Sequence, residues 1–177
     1  MHTEIKQDYE SSNSTKYSLK NMLVALILQP AFKYMFWYRK TQFHYLHGNK
    51  FRFRVFQIFL KHYQWKYGCE ISYKTTLGGG VRITHPFGIV VFAKSIGQNA
   101  WFHTGCVIGQ AHNGRSDMPT IGNNVSFGTG CKVLGDITIG DNVIIGANAV
   151  VIRDVPSNSI VAGNPARVIG HCENTWE

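Results

Sequence analysis

The sequence predicts a mainly β protein, a parallel β-helix of hexapeptide repeats with an N-terminal α-helical cap, and three observations predict it. From Ile121 onward the chain parses in sixes as "IGNNVS FGTGCK VLGDIT IGDNVI IGANAV VIRDVP", with anchors at Ile121, Phe127, Val133, Ile139, Ile145 and Val151. The same frame runs upstream through Ile71, Leu77, Ile83 and Ile89, then slips by one residue to Ile96, Phe102 and Ile108. Residues 1–67 carry a different period, with apolar residues recurring every three or four positions, as a helix requires.

Taken in chain order, the helical part comes first. "SLKNMLVALILQ" and "RFRVFQIFLKHYQWKY" have helical spacing with Lys and Arg between the apolar residues. "TKYSLKN" offers Ser and Thr as N-caps, and Pro30 should end or kink the first of these segments. An open coil would expose its strand edges, so this block is expected to cover the N-terminal end of the β-helix, which occupies residues 68–170. A tail of residues 171–177 is expected at the other end. Each unit of six has a second inward position four residues after the anchor, at Val125, Cys131, Ile137, Val143, Ala149 and Val155. Two inward positions per six make a short strand and a corner, and three such units close a triangular coil of about 18 residues. Gly, Asn and Asp fill the corners, where a positive φ is needed. Residues 114–120 interrupt the frame and should bulge out as a loop. Counting anchors by threes puts Ile83, Phe102, Phe127 and Ile145 on one side. Two residues beyond them, His85, Thr104, Thr129 and Ala147 form a column along one edge. With coils rising by roughly 4.8 Å, His85 and Ala147 stand about 14 Å apart.

The charge is unevenly placed. Of a net +8, residues 1–67 hold 11 Lys/Arg against 3 Asp/Glu, while residues 68–177 hold 7 against 7. The first part also has 16 of the 23 aromatic residues, so it is expected either to pack as a cap on the first coil or to lie against an anionic membrane surface. Nucleic acid is not expected as a partner, because neither a recognition motif nor a basic helix in a DNA-binding frame is present. The run from Met22 to Tyr38 is interrupted by Pro30 and Lys33 and is too short to span a bilayer. Cys69, Cys106, Cys131 and Cys172 show neither a CxxC nor a metal-ligand spacing and follow no secretory signal. A cytoplasmic location, including the inner face of the membrane, is therefore expected, and no metal.

The repeat, together with "HPFGIVV" and "VAGNPARVIG", resembles the hexapeptide acyltransferases, in particular the serine O-acetyltransferase-like branch. Within it, the chain is most similar to the short colanic acid type acetyltransferases of polysaccharide gene clusters. The resemblance implies a left-handed coil, a homotrimer and acetyl-CoA as acyl donor, whose extended pantetheine arm is about as long as the column. It also implies that His85 is the general base. A hydroxyl is a poor nucleophile, and an imidazole of near-neutral pKa can take its proton as it attacks a thioester. Glu70, fifteen residues earlier, stands where the family places a carboxylate that orients the histidine. Thr129, Ala147, Ile152, Arg153 and Arg167 align with positions that contact acetyl-CoA. Small residues and glycines let the pantetheine approach main-chain amides, and arginines suit its phosphates. Thr84, His103 and His112 are candidates to hold the acceptor. Cys106 is not expected as a nucleophile, since no base is placed beside it.

Two other classes share the prism. A γ-type carbonic anhydrase would use an H-x4-H zinc pair, which this chain lacks. A non-catalytic scaffold would leave the His85 column and "AGNPAR" without a purpose. For the acceptor, the resemblance implies an Asp immediately before the histidine and an Arg-His pair in the loop when the substrate is L-serine. Thr84 and, in "SDMPTIG", Asp117 and Met118 stand there instead. A sugar hydroxyl of a surface or capsular polysaccharide is therefore the expected acceptor, with Phe87, Trp101, Phe102 and Asn113 as further lining, and serine is the alternative. Arg115 or His112 could replace the lost contacts from the same loop.

Overall fold

The computed structural model describes residues 1–111 and 117–172. Four helices come first: α1 (His2–Ser12), α2 (Leu19–Leu28), α3 (Pro30–Leu46) and α4 (Lys50–Tyr67). Their ends follow local chemistry. The Ser18 hydroxyl accepts from the Asn21 amide at the start of α2, and the Asn49 side chain accepts from the Arg52 amide at the start of α4, each at 3.1 Å. Pro30 begins α3 at the first-turn position where its missing N–H costs nothing. Gly68, at φ 58°, ends α4 in the left-handed conformation that glycine adopts without strain.

Fifteen short strands follow: β1 (Glu70–Ile71), β2 (Thr76–Leu77), β3 (Arg82–Ile83), β4 (Val90–Val91), β5 (Ser95–Ile96), β6 (Trp101–Phe102), β7 (Val107–Gly109), β8 (Thr120–Ile121), β9 (Ser126–Phe127), β10 (Lys132–Leu134), β11 (Thr138–Ile139), β12 (Ile144–Ile145), β13 (Val150–Val151), β14 (Ser159–Gly163) and β15 (Ala166–His171). They form three sheets, each taking every third strand as far as β13, after which β14 and β15 both join sheet III. Sheet I is β1-β4-β7-β10-β13, sheet II is β2-β5-β8-β11 and sheet III is β3-β6-β9-β12-β14-β15. All pairings are parallel except β14 with β15, an antiparallel hairpin that makes β15 the outermost strand of sheet III.

The register in sheet III is the one the sixfold spacing predicts, with Ile83 beside Phe102, Phe102 beside Phe127 and Phe127 beside Ile145. These side chains stack inside the prism, and the Phe102 and Phe127 rings lie 4.9 Å apart and nearly parallel. The expected positive-φ corners are present. Asn99, Asn124, Asn142 and Asn158 all have φ between 55° and 60° and form a ladder at one edge. Each side-chain amide donates to the next carbonyl oxygen at 2.8 to 2.9 Å.

Two details of the upstream frame are corrected. Ile71 pairs with Val91, so the anchor is Val91 and not Ile89. Ile89 is a buried corner residue whose carbonyl accepts from the Glu70 amide. Instead of a single slip, the chain gains two residues between Ile83 and Val91 and loses one between Val91 and Ile96. The interrupting loop also ends sooner than expected, because Thr120 is already in β8, paired with Ser95 and Thr138.

The first coil has no coil beneath it, so its polar backbone groups need other partners. Side chains of α1 and α3 supply them. The Tyr38 hydroxyl donates to the carbonyls of Ser72 and Thr75, and Gln42 also donates to Thr75. The Tyr34 hydroxyl accepts from the Ile71 amide. Arg39 donates to the carbonyls of Leu77 and Gly78 and binds Asp8 through two hydrogen bonds of 2.8 and 3.1 Å. Asp8 in turn accepts from the Val81 amide. Asp8 and Arg39 are 2% and 3% exposed, so neither charge has water as a substitute partner. Burial raises the Asp8 carboxyl above its usual range, and the Arg39 guanidinium and Val81 amide work against that rise.

Replacing Arg39 by Met should therefore destabilise the fold by about 3–5 kcal/mol, the usual cost of leaving one member of a buried pair alone. Urea unfolding would measure it. A loss under about 1 kcal/mol, typical of an exposed pair, would show that the contact does not anchor the cap.

Candidate active site

The edge between sheets III and I carries the column, and its hydrogen bonds identify which residue of each coil occupies the same place. Amides of His103, Gly128 and Gly146 each donate to the carbonyl of the coil above, as Thr84 does to Phe102. These four are equivalent. At the next position, carbonyls of Phe87, Thr104 and Thr129 accept from the amides of Gly105, Gly130 and Asn148. One residue lies at that place in each later coil, but three separate Thr84 from Gly88 in the first. His85 and Pro86 are thus an insertion, and the column begins with Phe87. This corrects the position expected for His85, which is pushed out from the edge it was expected to share with Thr104, Thr129 and Ala147.

The insertion explains why an exposed imidazole sits among apolar residues. Pro86 is buried and holds the bulge against the body, while His85 and Phe87 are exposed. The Phe87 amide donates to the His85 carbonyl at 2.8 Å, which closes the loop tightly. Beneath it, the Tyr67 ring at the end of α4 meets Phe87 edge to face at 6.1 Å.

Three further side chains shape the surface beside His85. Trp101 Nε1 donates to the Thr84 hydroxyl at 2.9 Å. The His103 ring lies 4.7 Å from Trp101, and the Arg82 guanidinium lies 4.8 Å from the centre of the Trp101 ring, over its face. Burial and then the charge of nearby His85 lower the pKa of His103. The resemblance singled out His85, Thr84 and His103 in the sequence, but not Arg82, whose position just before the anchor Ile83 places it against an aromatic ring of the next coil.

Glu70 is exposed at the start of sheet I and lines a cleft of about 590 Å³ with Gln57, Gln64, Lys61, Lys74 and Lys94. Among the described residues no hydrogen bond or ion pair joins it to His85. Thr129 and Ala147 lie exposed along the column. Ile152 and Arg153 are exposed after β13, across sheet I from Ala147. Arg167 is on β15, paired with Ala162, in the hairpin that also touches β13. Cys106 is a buried thiol that donates to the His103 carbonyl at 2.6 Å, which leaves it no path to a substrate. His112, Asn113 and Arg115 lie outside the described residues, as do residues 173–177 of the expected tail. Among the described residues no group of His, Cys, Asp or Glu is arranged to hold a metal ion.

Residues 118–153 match the family model of the bacterial transferase hexapeptide (six repeats). The chain is 34% identical over 152 residues to a serine acetyltransferase of Helicobacter pylori, covering 85% of this chain and 87% of that protein. It is 38% identical over 153 residues to a serine acetyltransferase of Synechococcus elongatus, covering 85% of this chain but 61% of that longer protein. Its fold is similar to that of a serine acetyltransferase from Brucella abortus, solved in complex with coenzyme A, with a TM-score of 0.82 and 26% identity over 98% of this chain and 69% of that one.

The site makes one electrostatic prediction. In an NMR titration His103 should titrate below the ordinary value of 6.5, and His85→Asn should raise it part of the way, because burial, the larger cause, remains. An unchanged His103 titration in the variant would separate the two rings electrostatically.

Proposed function

Because this chain belongs to the serine acetyltransferase family of hexapeptide-repeat transferases, we propose that it transfers an acetyl group from acetyl-CoA to the hydroxyl of L-serine, with His85 as general base. His85 takes the hydroxyl proton as the oxygen attacks the thioester carbonyl. The carbon–sulfur bond then breaks and the coenzyme A sulfur leaves, taking up a proton. The observation that carries this reading is the His85–Pro86 insertion, which lifts one imidazole clear of the coil beside the column on a buried proline anchor. A His103 pKa lowered by burial suits the role, since a cation beside the base would weaken it. Among the described residues no hydrogen bond or ion pair joins Glu70 to His85, so the base role is proposed for His85 without Glu70 as its orienting carboxylate.

The relatives named above are serine acetyltransferases and not polysaccharide enzymes, so the acceptor favoured by the motif differences gives way to serine. One observation still supports a sugar hydroxyl as a second reading. Thr84 presents a hydroxyl, bonded to the Trp101 indole, where a carboxylate would be needed to meet the serine ammonium. An aromatic face and a hydroxyl suit a neutral ring.

Thr129 and Ala147 would flank the pantetheine arm, with Arg167 toward its phosphates. Ile152 and Arg153 lie across β13 from this edge, so they would meet a cofactor bound between copies of the chain. Family membership supports the same arrangement, a homotrimer of left-handed coils.

Acetyl-CoA turnover should be supported by L-serine, with O-acetylserine found by mass spectrometry. Transfer to nucleotide-linked sugars with none to serine would select the second reading. His85→Ala should lower turnover by about 10² to 10⁴ while leaving acetyl-CoA affinity within a few fold. Wild-type turnover in that variant would remove His85 from the mechanism. Light scattering should give a particle near 60 kDa, three times the 20.0 kDa chain. A 20 kDa particle would leave the cofactor site without its second wall.

A further inference from the structure

Helix α4 has two apolar faces, and only one of them is used by the fold. Its inner side packs on the body through Leu60, 1% exposed, and Tyr67, and through Phe56 and Phe59 against Trp37. Its outer side leaves Phe51 79%, Ile58 70% and Trp65 84% exposed. At 3.6 residues per turn these three and Val55 fall in one sector of about 80°. Lys50, Arg54 and Lys61 border that sector on one side, and Arg52 and Lys66 on the other. All five cations are exposed, and among the described residues none is ion-paired.

We infer that the outer face of α4 docks on an anionic lipid surface, with Phe51, Ile58 and Trp65 entering the headgroup boundary and the flanking Lys and Arg holding lipid phosphates. Bulky apolar residues between two rows of cations are what an interfacial helix requires, since insertion and charge attraction then act together. Charge complementarity selects this occupant over a second copy. No Asp or Glu occurs between Glu10 and Glu70, a stretch with ten Lys and Arg. Two such faces brought together would meet cation to cation. A comparison within the molecule makes the same distinction. Helix α2 also exposes Leu19, Leu23 and Ile27, but Lys20 is its one cation, so it lacks the charged borders that select an anionic surface. Among the described residues no helix is long and apolar enough to cross a membrane, so this contact lies on the bilayer and does not span it.

The test uses the full chain with vesicles of phosphatidylcholine, alone or with roughly one-third phosphatidylglycerol. Sedimentation should find the protein with the anionic vesicles at low salt and in the supernatant with the neutral ones. About 0.5 M salt should weaken the binding, because screening shortens the reach of the surface charge. Phe51→Ser, Ile58→Ser and Trp65→Ser together should lower binding at least tenfold, and Lys50→Gln, Arg52→Gln and Arg54→Gln together should do likewise. These side chains are exposed and none is in the catalytic site, so both variants should keep the wild-type melting temperature and acetyl transfer. Equal partition onto neutral and anionic vesicles, or full binding by the serine variant, would overturn the inference. So would a serine variant that fell to a smaller particle while wild type bound no vesicle, since the face would then belong to a second copy. Acetyl transfer in the same samples reports on the proposed function separately.

Discussion

A coil stacked on coils has an end, and at that end the backbone has nothing regular to bond to. The Asp8–Arg39 pair bears the charged share of this constraint. One guanidinium satisfies two carbonyls of the first coil and a carboxylate, and that carboxylate satisfies an amide of the same coil. Tyr34, Tyr38 and Gln42 complete the cover with neutral groups. A purely apolar cap would leave several buried polar groups unpaired, each at a cost of about 1–3 kcal/mol. The cap therefore meets the coil with polar partners for its backbone and with apolar packing, through Met35, Leu60 and Tyr67, on its core.

The same end of the prism carries His85, the proposed base, and the two facts are connected. His85 belongs to the first coil, the one whose lower edge is not set by a preceding turn. Two extra residues can enter that corner without breaking a ladder below it. Tyr67, at the end of α4, meets Phe87 where another coil would otherwise lie. The ladder above continues undisturbed from Phe87 through Thr104 to Thr129. The proposed base thus stands on an insertion, beside a column whose ladder is regular.

The downstream repeat was legible in the sequence because inward burial recurs every six residues and sheet pairing obeys the same count. That is why Phe102, Phe127 and Ile145 fell on one side from spacing alone. The first coils were less legible for a physical reason. Ile89 and Val91 are both buried, one in a corner and one on a strand, and apolar character does not distinguish them. Nor does a single buried ion pair leave a periodic trace, so nothing in "HTEIKQDYESS" marks Asp8 as the partner of Arg39 across 31 residues. The catalytic candidate was read through its motif, while the Trp101–Thr84 bond and the Arg82 contact depend on which residues become neighbours one coil apart.

The asparagine ladder sets a rule for how such a chain can change length. Each amide gives one hydrogen to the next and takes one from the last, so every rung needs an asparagine in the same left-handed conformation. Removing one hexapeptide would rotate every later residue onto the wrong edge, whereas removing three would close the gap. The distance between His85 and the far end of the column is in this sense quantised. It can lengthen or shorten only by whole coils of about 4.8 Å, so accommodating a different acyl donor by small steps falls to the corners and loops and not to the prism itself.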